Sequence, residues 1–442
     1  MNDIDAPPGV VIAAPASGSG KTLVTIGLIR ALRAKGHAVA SFKAGPDYID
    51  PTLHAAASGR PSVNLDSWAM RPSLLAHLAS HAGRGSDLLV GEGVMGLFDG
   101  AVSGQGSTAD LAALLGLPVI LVIDAKGMAA SAAAVANGFI RHREDVEVAG
   151  IVFNRVGSPS HLDLLRRACD DHFSQPVLGG IPASSGLGLS SRHLGLVPAG
   201  EAADVEAVIA HAADLVLRHL DLERLVRLAK PVGLAVQGGP PVPLPPLGQH
   251  VAVARDDAFV FAYPHVLAGW REAGAEISFF SPLAGEAPDD GADAAYLPGG
   301  YPELHAPALA SASPWRRALR RFADQGRPIF GECGGFMALG EGLIDTDGER
   351  HAMAGLLPLT TSFAAPKLHL GYRRLRSVAD TPLGPPGTVL RGHLFHYATI
   401  AAQADGARPF ESGNASGTNT GPLGLVRGSV FGSFAHLIDR EA

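Results

Sequence analysis

An apolar strand that runs straight into a glycine-rich turn and out into a helix narrows the folds open to this chain. Val10-Val11-Ile12-Ala13-Ala14 reads as a buried strand, Pro15-Ala16-Ser17-Gly18-Ser19-Gly20-Lys21-Thr22 as the turn, and Leu23–Ala34 carries helical spacing. Strand, turn, Gly-Lys-Thr and helix together form a phosphate-binding loop. Its glycines leave backbone N–H groups open to phosphate oxygens, and the helix N-terminus adds positive potential. Ser17, Gly18, Ser19, Gly20 and Lys21 are therefore expected to wrap a nucleotide, with Lys21 on the outer phosphates and Thr22 on Mg²⁺. Pro15 stands where the usual pattern has its first glycine.

A strand–helix alternation follows. Ala38–Phe42, Leu88–Gly91, Pro118–Asp124, Val148–Phe153 and Val177–Ile181 read as strands, with helical patterns between them, including Met128–His142 and His161–His172. This order predicts a doubly wound parallel sheet. Ligands of such sheets bind beyond the carboxyl ends of the strands. Two of those ends are acidic: Lys43-Ala44-Gly45-Pro46-Asp47-Tyr48-Ile49-Asp50 and Gly91-Glu92-Gly93. Asp47, Glu92 and then Asp50 are the expected Mg²⁺ ligands, because that ion takes one or two carboxylates plus phosphate oxygens and water. Lys43 is expected to meet phosphate or an acidic substrate, and Tyr48 to pack on a flat one. Asn154, after another strand, has an amide that both donates and accepts, as reading a base edge requires. Arg192 and His193, in the polar stretch 190–195, are placed facing substrate.

Pro231–Gln249 is rich in Pro and Gly and uncharged, so it reads as an extended linker. Beyond it the pattern restarts, with strands at Val251–Ala254, Glu276–Phe280 and Asp293–Leu297. Pro328-Ile329-Phe330 then meets Gly331-Glu332-Cys333-Gly334-Gly335, and a helix follows. Gly-x-Cys-x-Gly between strand and helix is a nucleophile elbow with sulfur in the serine position. Helix N–H groups turned toward the sulfur predict a thiolate. Its expected base is His436, at the end of the strand-like run Phe431–His436; Gly392–Tyr397, with His393 and His396, is read as substrate-facing or structural. The Gly334 N–H and one from Gly299–Gly300 are expected to form an oxyanion hole, for which Gly300 and Gly334 are named. The architecture is thus α/β in two domains: a P-loop doubly wound parallel sheet over 1–230, a linker over 231–249, and a second α/β domain over 250–442.

Bulk properties set the limits. Net charge is −7, which disfavours a nucleic-acid partner. No apolar run approaches the ~20 residues of a membrane span, and no export signal is visible at the start. Cys169 and Cys333 are the two cysteines, which excludes a disulfide framework and fits a reducing cytoplasm. Cys169 lies on an apolar helix face and reads as core.

Gly331–Gly340, Leu297–Leu304 (Leu-Pro-Gly-Gly-Tyr-Pro-Glu-Leu) and Gly432–His436 resemble the class I glutamine amidotransferase domain, in the variant carried by the cobyrinic acid synthases. Ala14–Thr22 and Lys43–Pro51 resemble the dethiobiotin-synthetase-like ATP domain of the same enzymes. The resemblance implies that Cys333 attacks the glutamine amide and His436 shuttles the proton. It also implies that ATP with Mg²⁺ phosphorylates the a and c carboxylates of a corrinoid polycarboxylate, and that ammonia replaces the phosphate. Asn154 would face adenine. Glutamine, ATP and the corrinoid are the implied partners, and a homodimer is allowed. The usual amidotransferase triad has a glutamate two residues after the histidine; here that residue is Ile438, which implies a Cys–His dyad. Two alternatives are weighed: a cobyric acid synthase, which amidates other corrin side chains and usually has a different phosphate loop, and a nucleotide-switched ATPase with a non-catalytic second domain.

Overall fold

The computed structural model describes residues 7–183, 202–234 and 239–441. Two compact units divide the chain: Met1–Trp68 with Leu75–Gly238, and Ala69–Leu74 with Gly239–Ala442.

In the first unit the strands are β1 (Pro8–Ala13), β2 (Val39–Ala44), β3 (Val63–Leu65), β4 (Leu88–Glu92), β5 (Val119–Asp124), β6 (Val148–Val156) and β7 (Val177–Pro182). They form a parallel sheet in the order β3-β2-β4-β1-β5-β6-β7. Short β8 (Lys230–Pro231) pairs antiparallel with the start of β1. The strands read as continuous apolar runs because helices cover the sheet's faces. Helix α1 (Lys21–Ala34) follows β1 and α2 (Asp50–Ser58) follows β2. Helix α1 packs against the later helix Ala202–His219 at close range. A Cβ added at Gly27 would lie 2.6 Å from the Ala212 carbonyl oxygen, so only glycine permits the approach. Val24, Leu28 and Leu32 on α1 join Ile209 and Val216 in the core. Among the described residues no helix is long and apolar enough to cross a membrane.

The second unit holds β9 (His250–Ala254), β10 (Glu276–Phe280), β11 (Ala294–Leu297) and β12 (Ile329–Glu332), then eleven further strands to Arg440. Three of those are used below: β13 (Val389–His396), β14 (Val430–Ser433) and β15 (Ala435–Arg440). A six-stranded sheet runs β10-β9-β11-β12-β14 and ends on Leu425–Arg427; its first five strands are parallel and that edge strand is antiparallel. Separate four- and five-stranded sheets take up most of residues 342–440, and β13 pairs with β15 in the latter. The run Phe431–His436 is therefore not one strand. It changes sheets at Phe434, and His436 is the second residue of β15 rather than a strand end.

Parts of 239–249 are packed rather than extended free of the body. Leu244 and Leu247 are buried, and Pro243 sits where any side chain on Gly269 would fall. Arg71 also belongs to this unit. Its guanidinium grips Asp439 with bonds of 2.8–3.1 Å, its backbone N–H donates to the same carboxylate at 2.8 Å, and Nη2 donates to the Val242 carbonyl. Asp439 is fully buried, and removing one member of such a pair strands the other charge. Arg71→Ala should lower the stability of the second unit by about 3–5 kcal/mol, read as a drop in Tm; an unchanged Tm would refute this weight for the pair.

Candidate active sites

The first site gathers where β1, β2, β4 and β6 end. Gly18 and Gly20 take positive φ (79° and 94°), which a β-carbon resists. At Gly20 a Cβ would also come within 2.1 Å of Asn154 Nδ2. The loop is braced from below: Asn154 Nδ2 donates to the Ser19 carbonyl at 2.9 Å, and Asn154 Oδ1 accepts from the Arg155 N–H. Each end of the Asn154 amide thus makes one bond within the protein, and the residue also lines the cavity above the loop. Lys21 Nζ donates to the Met95 carbonyl at 2.5 Å.

Behind the loop lies a buried charge network. Glu92, at the end of β4, accepts from Thr22 Oγ1 (2.7 Å) and Lys43 Nζ (2.9 Å) on one oxygen and meets His54 Nε2 (2.7 Å) on the other. Lys43 also pairs with Asp50 at 2.5 Å. Burial alone would raise the Glu92 carboxyl, but Lys43 and His54 outweigh it and hold it well below the usual range. Burial likewise opposes the Lys43 charge, and Glu92 and Asp50 override it, so the ammonium is strongly retained. Asp50 is pushed up by burial, then by Glu92 and Asp47. Lys21 is lowered, first by burial and then by Lys43.

A cavity of about 520 Å³ opens above this network, lined among others by Ser17, Gly18, Gly20, Lys21, Thr22, Lys43, Asp47, Glu92 and Asn154. Asp50 is turned to Lys43 instead, and Tyr48 lies half-buried in the same loop, outside the cavity wall. Asp47 Oδ1 accepts the N–H groups of Ile49 and Asp50. Lys43, expected on phosphate or substrate, is buried among carboxylates. Arg192 and His193 lie outside the described residues. His54 carried no motif; it reaches Glu92 from the second turn of α2, a contact no local pattern announces.

The second site forms around Cys333. Its φ of 46° and ψ of −107° are strained for a residue with a β-carbon. This places it at the N-cap of a six-residue helix, Gly334–Leu339. The turn is tight: a Cβ on Gly335 would fall 1.9 Å from the Leu297 carbonyl oxygen. The thiol donates to the Phe395 carbonyl on β13 at 3.7 Å. Gly299 lies against both partners of the expected dyad. A Cβ there would sit 2.4 Å from His436 Cε1 and 3.3 Å from Cys333 Cβ. Gly334 abuts Gly300, whose nitrogen would lie 2.9 Å from a Cβ added at Gly334.

Histidines cluster around His436. His393 is the cross-strand partner of His436, and their rings stack at 4.9 Å and 13°. His393 Nε2 hydrogen-bonds Tyr263 Oη at 2.9 Å. The segment around His393 thus lies beside Cys333 and His436. Ile438 fills the place of a triad glutamate with an apolar, buried side chain, and its carbonyl accepts from His265 Nε2 at 2.9 Å.

Burial is the largest influence on these groups and drives each toward its neutral form. Burial and then the Glu303 carboxyl push the Cys333 thiol far up, outweighing the Gly334 N–H. The expected thiolate is therefore not the resting form: a six-residue helix gives too little to offset full desolvation. Burial, then His393 and His396, hold His436 well below its ordinary value. Burial raises Glu303 to about 7 and Glu332 to about 8. Cys169 is a buried core residue, its thiol pushed up to about 11 by burial.

Residues 10–196 match the CobQ/CobB/MinD/ParA nucleotide binding domain, and residues 250–442 the CobB/CobQ-like glutamine amidotransferase domain. The class is thereby set: a nucleotide-binding domain followed by a glutamine amidotransferase domain in one chain. Hydrogenobyrinate a,c-diamide synthases from Rhizobium meliloti and Brucella anthropi are each 53% identical to this chain over 98% of it, and the match spans 99% and 98% of their own lengths. A glutamine amidotransferase of known structure from Thermotoga maritima overlaps 42% of this chain and 75% of its own at 19% identity, with a TM-score of 0.29. The chain belongs to the hydrogenobyrinate a,c-diamide synthase family.

A neutral, buried thiol should react slowly with iodoacetamide at pH 7 and faster as pH climbs past 9. A rate for Cys333 that is flat from pH 6 to 9 would contradict the neutral resting state.

Proposed function

We propose that this protein uses ATP and glutamine to convert the a and c carboxylates of hydrogenobyrinate into amides. One observation carries the proposal. A phosphate-loop cavity and an elbow cysteine flanked by a buried histidine occur in one chain, and that chain is 53% identical throughout to enzymes bearing this name.

In the second unit, His436 takes the proton from Cys333 as sulfur attacks the side-chain carbonyl of glutamine. Starting from a neutral thiol and a neutral imidazole, charge appears only as the bond forms. The N–H groups of Gly300 and Gly334 stabilise the oxyanion. The protonated His436 then returns its proton to the leaving nitrogen, and ammonia departs. Water hydrolyses the thioester, with His436 as base, and releases glutamate.

In the first unit, Ser17, Gly18, Ser19 and Gly20 receive the phosphates, and Lys21 leaves the Met95 carbonyl for the outer ones. Asn154 holds the loop in shape from beneath. Thr22, Glu92 and Asp47 are all-oxygen donors on one cavity wall, a set that fits Mg²⁺. Asp50, paired to Lys43, backs that set from behind. Bound there, the ion supplies neutralisation of the triphosphate charge. A corrin carboxylate attacks the terminal phosphorus of ATP, the bond to the bridging oxygen breaks, ADP leaves, and an acyl phosphate forms. Ammonia adds to its carbonyl carbon, phosphate leaves and a proton is released, giving the amide. Tyr48, in the loop beside this cavity, is a candidate to hold the corrin, and His193 is a candidate on its sequence context alone. Two free cysteines, both buried, suit a reducing cytoplasm.

Cys333→Ala should abolish glutamine-dependent diamide formation, by at least about 10³-fold. Amidation with free ammonium should survive, because the ammonia-consuming site is separate. Loss of both activities in a folded variant, or survival of both, would sink the reading.

A further inference from the structure

Glu332 has no place in the mechanism above, yet it is buried beside the nucleophile with both carboxyl oxygens in use. Oε1 accepts the backbone N–H of Leu437 at 2.9 Å. Oε2 accepts the Tyr296 hydroxyl at 2.7 Å. Leu437 immediately follows His436. Tyr296 stands at the end of β11, two residues before Pro298-Gly299-Gly300. The Glu332 backbone precedes Cys333. One side chain therefore joins the three segments that carry the thiol, the imidazole and the Gly299–Gly300 turn.

The need for such a tie follows from topology. Glu332 on β12 is in register with Ser433 on β14. The chain then leaves that sheet at Phe434, and His436 belongs to β15 of another sheet, paired to β13. Among the described residues, Ile438 gives no carboxylate where the wider amidotransferase class has one. The Cys333 N–H donates to the Ser433 carbonyl at 2.9 Å just before the sheet change, and Glu332 adds a side-chain link just after His436, at Leu437.

We propose that Glu332 is a positioning residue for glutamine hydrolysis: its carboxyl clamps the strand bearing His436 and the strand leading to Gly299–Gly300 to the cysteine elbow. It does the aligning work of the absent triad carboxylate through the backbone of Leu437 rather than through the imidazole. The inference rests on the glutaminase reading above. Burial raises Glu332 to about 8, so near neutral pH it carries little charge and does not oppose sulfur ionisation. Displacing a reacting group by about 1 Å costs on the order of 10²-fold in rate.

Two variants of the full-length enzyme separate this role from plain structural support. Glu332→Gln keeps an acceptor for Leu437 and a donor for the Tyr296 oxygen, so glutamine-dependent kcat should stay within about five-fold of the parent. Glu332→Leu removes the clamp and should lower that kcat by about 10²-fold. KM for glutamine and ammonium-dependent amidation should stay within two-fold.

Iodoacetamide labelling of Cys333 against pH adds a readout of the thiol itself. Groups acting on that sulfur are Glu303, Glu332 and the Gly334 N–H; His436 lies with Cys333 against Gly299, His393 and His396 act on His436, and Tyr296 on Glu332. In Glu332→Gln the alkaline limb should move to lower pH, since a carboxylate that charges near pH 8 is gone. A parent enzyme that cannot use glutamine would defeat the glutaminase reading instead. With a glutamine-active parent, a folded Glu332→Leu enzyme within three-fold of parent kcat overturns the clamp. So does equal loss of ammonium-dependent activity. Should Glu332→Leu fail to fold, Glu332→Gln decides: a 10²-fold loss of glutamine-dependent kcat overturns it.

Discussion

Desolvation of ionisable groups governs both sites, and the two units answer it in opposite ways. In the first unit, Lys43 and Glu92 are removed from water but compensate one another, with His54, Thr22 and Asp50 completing the shell. Buried charges survive only when so paired. The result is a preset field beneath a phosphate cavity, formed before any nucleotide arrives. In the second unit, desolvation drives Cys333, His436, Glu303 and Glu332 each toward its neutral form. Burial favours the uncharged form of its sulfur.

This division fits what each site is proposed to do. Phosphoryl transfer relies mostly on positioning and on neutralising charge that is already present. A fixed charge network serves that purpose. Glutamine hydrolysis creates charge that was absent, so a neutral resting pair limits idle turnover. The strained backbone at Cys333 and the glycine at position 299 are local requirements of the same scheme. One presents the sulfur, and the other lets thiol and imidazole flank a single backbone step.

Much of this was legible in the sequence where the chemistry is contiguous. The phosphate loop, the elbow and the first unit's larger strands follow from local pattern, because a parallel sheet buries whole apolar runs. Contacts that join distant segments were not legible. Glu92 meets His54 across 38 residues, Arg71 meets Asp439 across 368, and Glu332 meets Leu437 across 105. No periodicity carries such pairings. The antiparallel sheets of 342–440 were missed because many of their strands are partly exposed and polar. The thiolate expectation failed on magnitude: a six-residue helix was weighed without the burial that opposes it. Lys43 lines the cavity as the sequence expected, but its pairing with Glu92 and Asp50 was not legible, because a basic residue at a strand end gives no sign of its carboxylate partners.

The account turns on an acid group being made reactive at the Lys21 cavity before nitrogen reaches it. Isotope transfer tests this most directly, using hydrogenobyrinate labelled with ¹⁸O in its carboxylates and following the phosphate formed during turnover with ATP and glutamine. Acyl phosphate formation predicts one ¹⁸O in inorganic phosphate for every amide made. Unlabelled phosphate, or label found in AMP, would contradict it.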